Sequence, residues 1–125
     1  MNILLIDDDK DCLEELDVLL RRYGYFTSKF SVARNAVEAC RDGKFELVIT
    51  DFRMPGMDGV EVIKAIREFI PNVRIIVISA YIESKDSLFA ACNGGCSFFS
   101  KPLDVEKLLL SIEQIGQELD QPENK

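Results

Sequence analysis

Apolar and polar positions follow two rhythms along this chain. Apolar runs at Ile3–Ile6, Leu47–Ile49 and Ile75–Ile78, within the segments Asn2–Ile6, Phe45–Thr50 and Val73–Ser79, are the signature of buried strands. Phe98-Phe99 mark a shorter strand over Cys96–Ser100. Tyr25–Phe30 is aromatic and polar by turns and reads as a strand nearer a sheet edge. The segments between repeat at helical spacing. Lys10–Tyr23 carries Leu13, Leu16 and Leu20 on one face and meets a stop at Gly24. Ser31 is placed to cap a second helix, with Ala36, Val37 and Cys40 inward and Gly43 at its end. Val60–Ile70 sets Ile63, Ile66 and Ile70 together and stops at Pro71-Asn72. Ser84–Asn93 predicts a fourth helix, halted by Gly94-Gly95. The last helix starts from Asp104 as its cap and places Val105, Leu108, Leu109 and Ile112 at i, i+3, i+4 and i+7.

Five strands, each followed by a helix, predict an α/β domain of (βα)5 type. Right-handed crossovers make its sheet parallel, with helices on both faces. Barrel closure takes about eight such units, so the expected architecture is a doubly wound open sheet. Val73–Ser79, rich in β-branched residues, belongs near its centre. The domain is expected to span residues 1–120, with 121–125 a polar tail that frays.

Composition narrows the function. A hydrophobic content of 47% and 30% charged residues are values of a globular chain. The net charge of −7 argues against nucleic acid as a direct partner, because phosphate neutralisation takes clustered Lys and Arg. No apolar run is long enough to span a membrane, and Met1–Ile6 runs straight into Asp7 as a strand rather than a signal peptide. Of the cysteines, Cys12, Cys40 and Cys92 fall in helical patterns and Cys96 opens a strand. With no His in the chain, zinc is a poor reading. All four are expected to be reduced core thiols of a cytoplasmic protein.

The strand ends carry the chemistry. Asp7 and Asp8 close the first strand, Asp51 the third, Ser79 the fourth and Lys101-Pro102 the fifth. In an open parallel sheet, ligand sites lie just beyond the carboxyl ends of the strands. Three gathered carboxylates repel one another unless a hard divalent cation joins them. Oxygen-only ligands favour magnesium or manganese, completed by water and a backbone carbonyl. A plainer reading has Asp7, Asp8 and Asp9 simply opening the first helix, where acids complement its dipole, but that leaves Asp51 unexplained. Beside a cation, with a lysine and a hydroxyl near, Asp51 suits nucleophilic attack on a phosphoryl group. A rival reading takes Asp7-x-Asp9 as the nucleophile and acid of a dehalogenase-type phosphohydrolase, which leaves the Met54-Pro55-Gly56 loop idle.

Asp7-Asp8, Asp51 with Met54-Pro55-Gly56 and Asp58-Gly59, Ser79-Ala80, and Lys101-Pro102 occur together in a distinctive order and spacing. From about Asn2 to Leu119 the chain resembles the receiver domain of two-component response regulators. The resemblance implies a flavodoxin-like fold with strand order 2-1-3-4-5. It implies Asp51 as the phosphoacceptor, with magnesium held by Asp7, Asp8, Asp51 and the backbone carbonyl of Arg53. Ser79, Lys101 and the backbone N–H of Ala80 would contact the phosphoryl group, and the Lys101–Pro102 bond would be cis. Such a domain is a signalling phosphoacceptor rather than an enzyme. Its donor would be a phosphohistidine on a sensor kinase or phosphotransfer protein.

Ser79 and Phe98 match the family's switch positions, although Phe98 has no hydroxyl. Arg53 and Tyr81, two residues beyond Asp51 and Ser79, match positions that flank the site and tune the lifetime of the acyl phosphate. Output would pass through the face of the predicted 84–93 helix, the fifth strand and the last helix. The partner there would be an output domain, a downstream protein or a second copy. Phe89 and Leu110 are candidate contacts on that face.

Overall fold

The computed structural model describes residues 1–51, 53–54, 57–79 and 96–120. Five strands form one parallel sheet: β1 (Asn2–Ile6), β2 (Phe26–Phe30), β3 (Leu47–Asp51), β4 (Arg74–Ser79) and β5 (Cys96–Ser100). Their order is β2-β1-β3-β4-β5, so β4 is interior and β2 is an edge, as the residue patterns suggest. Four helices are described: α1 (Lys10–Arg22), α2 (Ala33–Ala39), α3 (Gly59–Phe69) and a C-terminal helix, Val105–Asp120. None of them is long and apolar enough to cross a membrane.

The inner strands β1, β3 and β4 are apolar through most of their length because each serves two cores. Along a strand, successive side chains point to opposite faces. Leu4, Ile6, Val48, Ile75 and Val77 pack on one face with Ala33 and Ala36 of α2 and Val62, Ile63 and Ile66 of α3. Ile3, Leu5, Leu47, Ile49, Ile76 and Ile78 pack on the other with Leu13 and Leu20 of α1 and Leu108, Ile112 and Ile115 of the C-terminal helix. Burial of this order, at roughly 25 cal/mol per Å² of apolar surface, is the main force holding the layers together.

Helix ends depart from expectation in instructive ways. Ser31 does not cap α2: Val32 stands at the N-cap, with no side-chain hydrogen bond. The second helix is also shorter, ending at Ala39 and tightening into a 3-10 turn over Cys40–Asp42 before Gly43 at φ 66°. Asp104 does cap the C-terminal helix, its carboxylate accepting from Lys107 N at 3.2 Å. Val105, read as inward-facing, is 42% exposed, because it sits in the first turn before the helix settles on the sheet. Between β3 and α3, Arg53–Met54 and Met57–Asp58 pair as a short antiparallel ribbon that hydrophobic periodicity could not signal.

The cysteines correct a second expectation. Cys40 is buried and free, and burial pushes its thiol up to about 11. Cys12 is free but exposed rather than part of the core. Cys96 is disulfide-bonded, so the chain does not carry four reduced thiols. A full hydrophobic core removes the need for a cross-link without forbidding one. The predicted helix at 84–93, with Phe89 and Cys92, and the tail at 121–125 lie outside the described residues.

Candidate functional site

At the carboxyl edge of the sheet, β1 hands over to α1 through three consecutive acids with separate duties. Asp7 turns back on the chain, one carboxylate oxygen accepting from Asp9 N at 3.0 Å. Asp9 is the N-cap of α1, accepting from Asp11 N at 3.1 Å and Cys12 N at 3.3 Å, with the Cys12 thiol donating to its second oxygen. These bonds satisfy donors that a helix start leaves open. They hold the Asp9 carboxyl below the usual range, the Cys12 thiol foremost. Asp9 is thus committed to the helix. The hydrolase reading, which needs it as the partner of Asp7, loses its second carboxylate.

Asp7, Asp8 and Asp51 converge instead. Each offers a carboxylate oxygen, and these oxygens lie within 4.8 Å of one another. Asp51 ends β3, paired in register with Ile78, so Ser79 stands one residue further along the neighbouring strand. Ser79 is 2% exposed. Its carbonyl accepts from Lys101 N at 3.0 Å, which ties the end of β4 to the residue after β5. From there Lys101 Nζ reaches Asp51 Oδ2 at 3.5 Å, with side chains 34% and 13% exposed. The Lys101–Pro102 bond is cis, as the sequence resemblance implies.

The electrostatics are those of crowded acids offset by one cation. Partial burial raises the Asp7 carboxyl above its ordinary value, and Asp51 and Asp8 add repulsion that Lys101 and the bond from Asp9 only partly relieve. For Lys101, burial works against the charged form, yet Asp51, Asp7 and Cys12 together outweigh it and the ammonium is raised. Oxygen donors at this spacing, without nitrogen or sulfur, fit a hard divalent cation such as Mg²⁺.

The remaining sequence-predicted residues fall unevenly. Arg53 begins the ribbon, its backbone paired with Asp58. Phe98 is partly buried against the core beneath α2 and α3. Leu110 is 65% exposed on the C-terminal helix. Ala80 and Tyr81 lie outside the described residues. Sequence reasoning missed a cleft of about 510 Å³ beside the acids, where Asp7 and Lys101 meet Cys12, Leu16 and Leu19 of α1 and Leu103. Its walls come from opposite ends of the chain, and only the fold brings them together.

Comparison with known proteins agrees with this geometry. The family described as "Response regulator receiver domain" matches residues 3–113. The transcriptional regulatory protein ZraR of Klebsiella oxytoca is 34% identical over 114 residues, covering 91% of this chain and 26% of that protein. The two-component response regulator ARR12 of Arabidopsis thaliana is 34% identical over 110 residues, covering 86% of this chain and 18% of its own length. The chain therefore spans about a quarter or less of these relatives. Among solved structures, a CheY-like receiver domain protein from Methanospirillum hungatei JF-1 superposes with a TM-score of 0.84 at 24% identity, covering 97% of this chain and 98% of that one. The beryllofluoride-activated NtrC4 receiver domain dimer gives 0.82 at 30% identity, covering 94% and 97%. With the strand order and the carboxyl-edge acids already in place, these matches assign the chain to the response regulator receiver domain family.

Proposed function

We propose that this domain accepts a phosphoryl group on Asp51 in a reaction that depends on Mg²⁺ or Mn²⁺. The observation that carries the reading is the position of Asp51, grouped with Asp7 and Asp8 and facing Lys101 at 3.5 Å. Asp7, Asp8, Asp51 and the backbone carbonyl of Arg53 would hold the cation. When bound, it supplies charge neutralisation for the carboxylates and the phosphoryl oxygens.

A carboxylate oxygen of Asp51 attacks phosphorus, forming the O–P bond of an acyl phosphate while the bond from phosphorus to the donor's imidazole nitrogen breaks. The electron pair of that bond leaves with the imidazole, which takes a proton. Lys101 pairs with one phosphoryl oxygen, Ser79 donates its hydroxyl to another, and the N–H of Ala80 serves a third. Because attack comes from the domain's own carboxylate, the product stays attached and the domain acts on itself, as a signalling element rather than a turnover enzyme.

The new bonds suffice for a switch. Moving a two-state equilibrium from 1:99 to 99:1 takes about 5.5 kcal/mol, and hydrogen bonds to charged groups contribute roughly 1.5–3 kcal/mol each. Ser79, Lys101 and Ala80 together reach that figure, whereas one alone does not. Ser79 and Phe98 form the switch, and the output surface is the face of the 84–93 segment, β5 and the C-terminal helix. A sensor histidine kinase or histidine phosphotransfer protein in the cytoplasm is the donor. A linked output domain, a downstream protein or a second copy is the receiver of the signal. Residues 1–120 make up this unit, and 121–125 its tail.

Incubation with acetyl phosphate and Mg²⁺ tests the assignment by intact mass. One phosphoryl group should be gained, fail to appear when EDTA is present from the start, and be absent in Asp51→Asn. Labelling of Asp7, or equal labelling without a divalent ion, would overturn it.

A further inference from the structure

Among the described residues three polar side chains are buried: Asp17, Thr50 and Ser79. Asp17 is occupied at the α1–β2 junction, accepting from Thr27 and from Arg21 Nε at 3.0 Å, with Lys29 Nζ at 3.4 Å. Ser79 belongs to the site already described. Thr50 is left with neither an ion pair nor a part in the proposed reaction. It is 1% exposed, and its register neighbours are Ile6 and Val77. It shares its face of β3 with Val48, in the core beneath α2 and α3. Valine would fill the same space without burying a hydroxyl, and a buried hydroxyl is tolerated only where it is hydrogen-bonded. The bond that Thr50 makes is specific: Oγ1 donates to the carbonyl oxygen of Asp51 at 2.9 Å.

That carbonyl belongs to the last residue of β3. Its orientation is the ψ angle of Asp51, the last backbone rotation before the chain leaves the sheet for the ribbon at Arg53–Met54. A free carbonyl at the end of a strand can swing, carrying with it the direction of the following peptide. Here a β-branched side chain, stiff at χ1 and packed in the core, holds it by one hydrogen bond. We propose that Thr50 is a positioning residue for phosphoryl acceptance: through the Asp51 carbonyl it fixes the direction in which the chain leaves Asp51 toward Arg53, whose own carbonyl would complete a cation site. This rests on the reading of Asp51 as phosphoacceptor given above.

The test compares Thr50→Val, which keeps shape and removes the hydroxyl, with Thr50→Ser, which keeps the hydroxyl. Losing one hydrogen bond of ordinary strength corresponds to about a three- to tenfold change. In Thr50→Val, Mg²⁺ measured by calorimetry should bind weaker by that factor. Acyl phosphate formation from acetyl phosphate at saturating Mg²⁺ should slow similarly, with the melting temperature unchanged or raised. Thr50→Ser should restore both. In the metal-free protein, amide hydrogen exchange over residues 52–54 should quicken in the Val variant and not in the Ser variant.

Wild-type Mg²⁺ affinity, labelling rate and exchange in Thr50→Val would overturn the inference, as would equal losses in Val and Ser. If the native chain neither binds Mg²⁺ nor takes up phosphate, the reading of Asp51 fails instead, and the exchange comparison still decides whether Thr50 holds the chain.

Discussion

Lys101 and Asp51 meet at 3.5 Å across the rim of the sheet, an ion pair assembled from the ends of two strands that are not neighbours. The interior strand β4 lies between β3 and β5, and its last residue, Ser79, anchors the Lys101 backbone from below. The pair is therefore set by strand order rather than by local sequence.

Asp7 gives a test of metal dependence through stability. Its carboxyl is raised chiefly by burial, so the native state holds that proton more tightly than the unfolded chain. Stability from this group is fully present below the ordinary carboxylate pKa and is lost as pH rises through the raised one. At neutral pH the ionised group is a liability in the metal-free protein. Asp7→Asn should accordingly melt higher than the native chain at pH near 7 in EDTA, with the difference vanishing in acid. Saturating Mg²⁺ should reverse the ranking, by stabilising the native chain more than the variant. Thermal melts at the two pH values, with and without Mg²⁺, check both parts.

Asp17 carries the opposite sign. Burial pushes its carboxyl up, but bonds from Thr27, Arg21 and Lys29 together outweigh that and leave it lowered. Its contribution is present above the ordinary carboxylate pKa and lost as pH falls through the lowered one. Asp17→Asn should cost about 1–3 kcal/mol in urea unfolding at neutral pH and progressively less in acid. Because Asp17 is remote from the acid cluster, Mg²⁺ affinity should not change.

Arg53 and Tyr81 are the residues through which a proposed limit on hydrolysis can be tested. We propose that these two bulky side chains, two residues beyond Asp51 and Ser79 in sequence, obstruct an attacking water. Lifetimes of minutes to hours are expected for the native chain. Arg53→Asn combined with Tyr81→Ala should shorten the decay, followed by intact mass after removal of the donor. An unchanged decay would refute the idea.

Leu110 tests the proposed output face. It is the most exposed aliphatic side chain of the C-terminal helix, at 65%. If a second copy or partner covers it, Leu110→Glu should weaken self-association of the beryllofluoride-treated domain in sedimentation while the melting temperature stays level. Identical sedimentation of both proteins, with the native chain associating, would move the contact elsewhere.

The sequence disclosed what repetition can encode. Val48 and Ile49 belong to different cores, and a strand serving both layers must read as an unbroken apolar run, so β1, β3 and β4 were legible. The positions of Asp51, Ser79 and Lys101 stood out because each lies within two residues of the end of an apolar run. Other features depend on geometry that no period carries. Val32 rather than Ser31 begins α2 because the backbone, not the residue type, decides where a helix turns. The cleft between Leu16 and Leu103 joins segments far apart in the chain. The division of labour among Asp7, Asp8 and Asp9 needed hydrogen-bond directions, which three identical letters conceal.

The two-sided core has a consequence for how this family can vary. Inserting or deleting a single residue inside β3 would turn the strand inside out, trading Val48 and Ile49 between the layers and carrying Asp51 away from Lys101. Chemistry at the rim is thereby protected by the oiliness beneath it: descendants of such a chain can swap one side chain for another or lengthen a loop, but they cannot change the length of an inner strand and keep Asp51 beside Lys101.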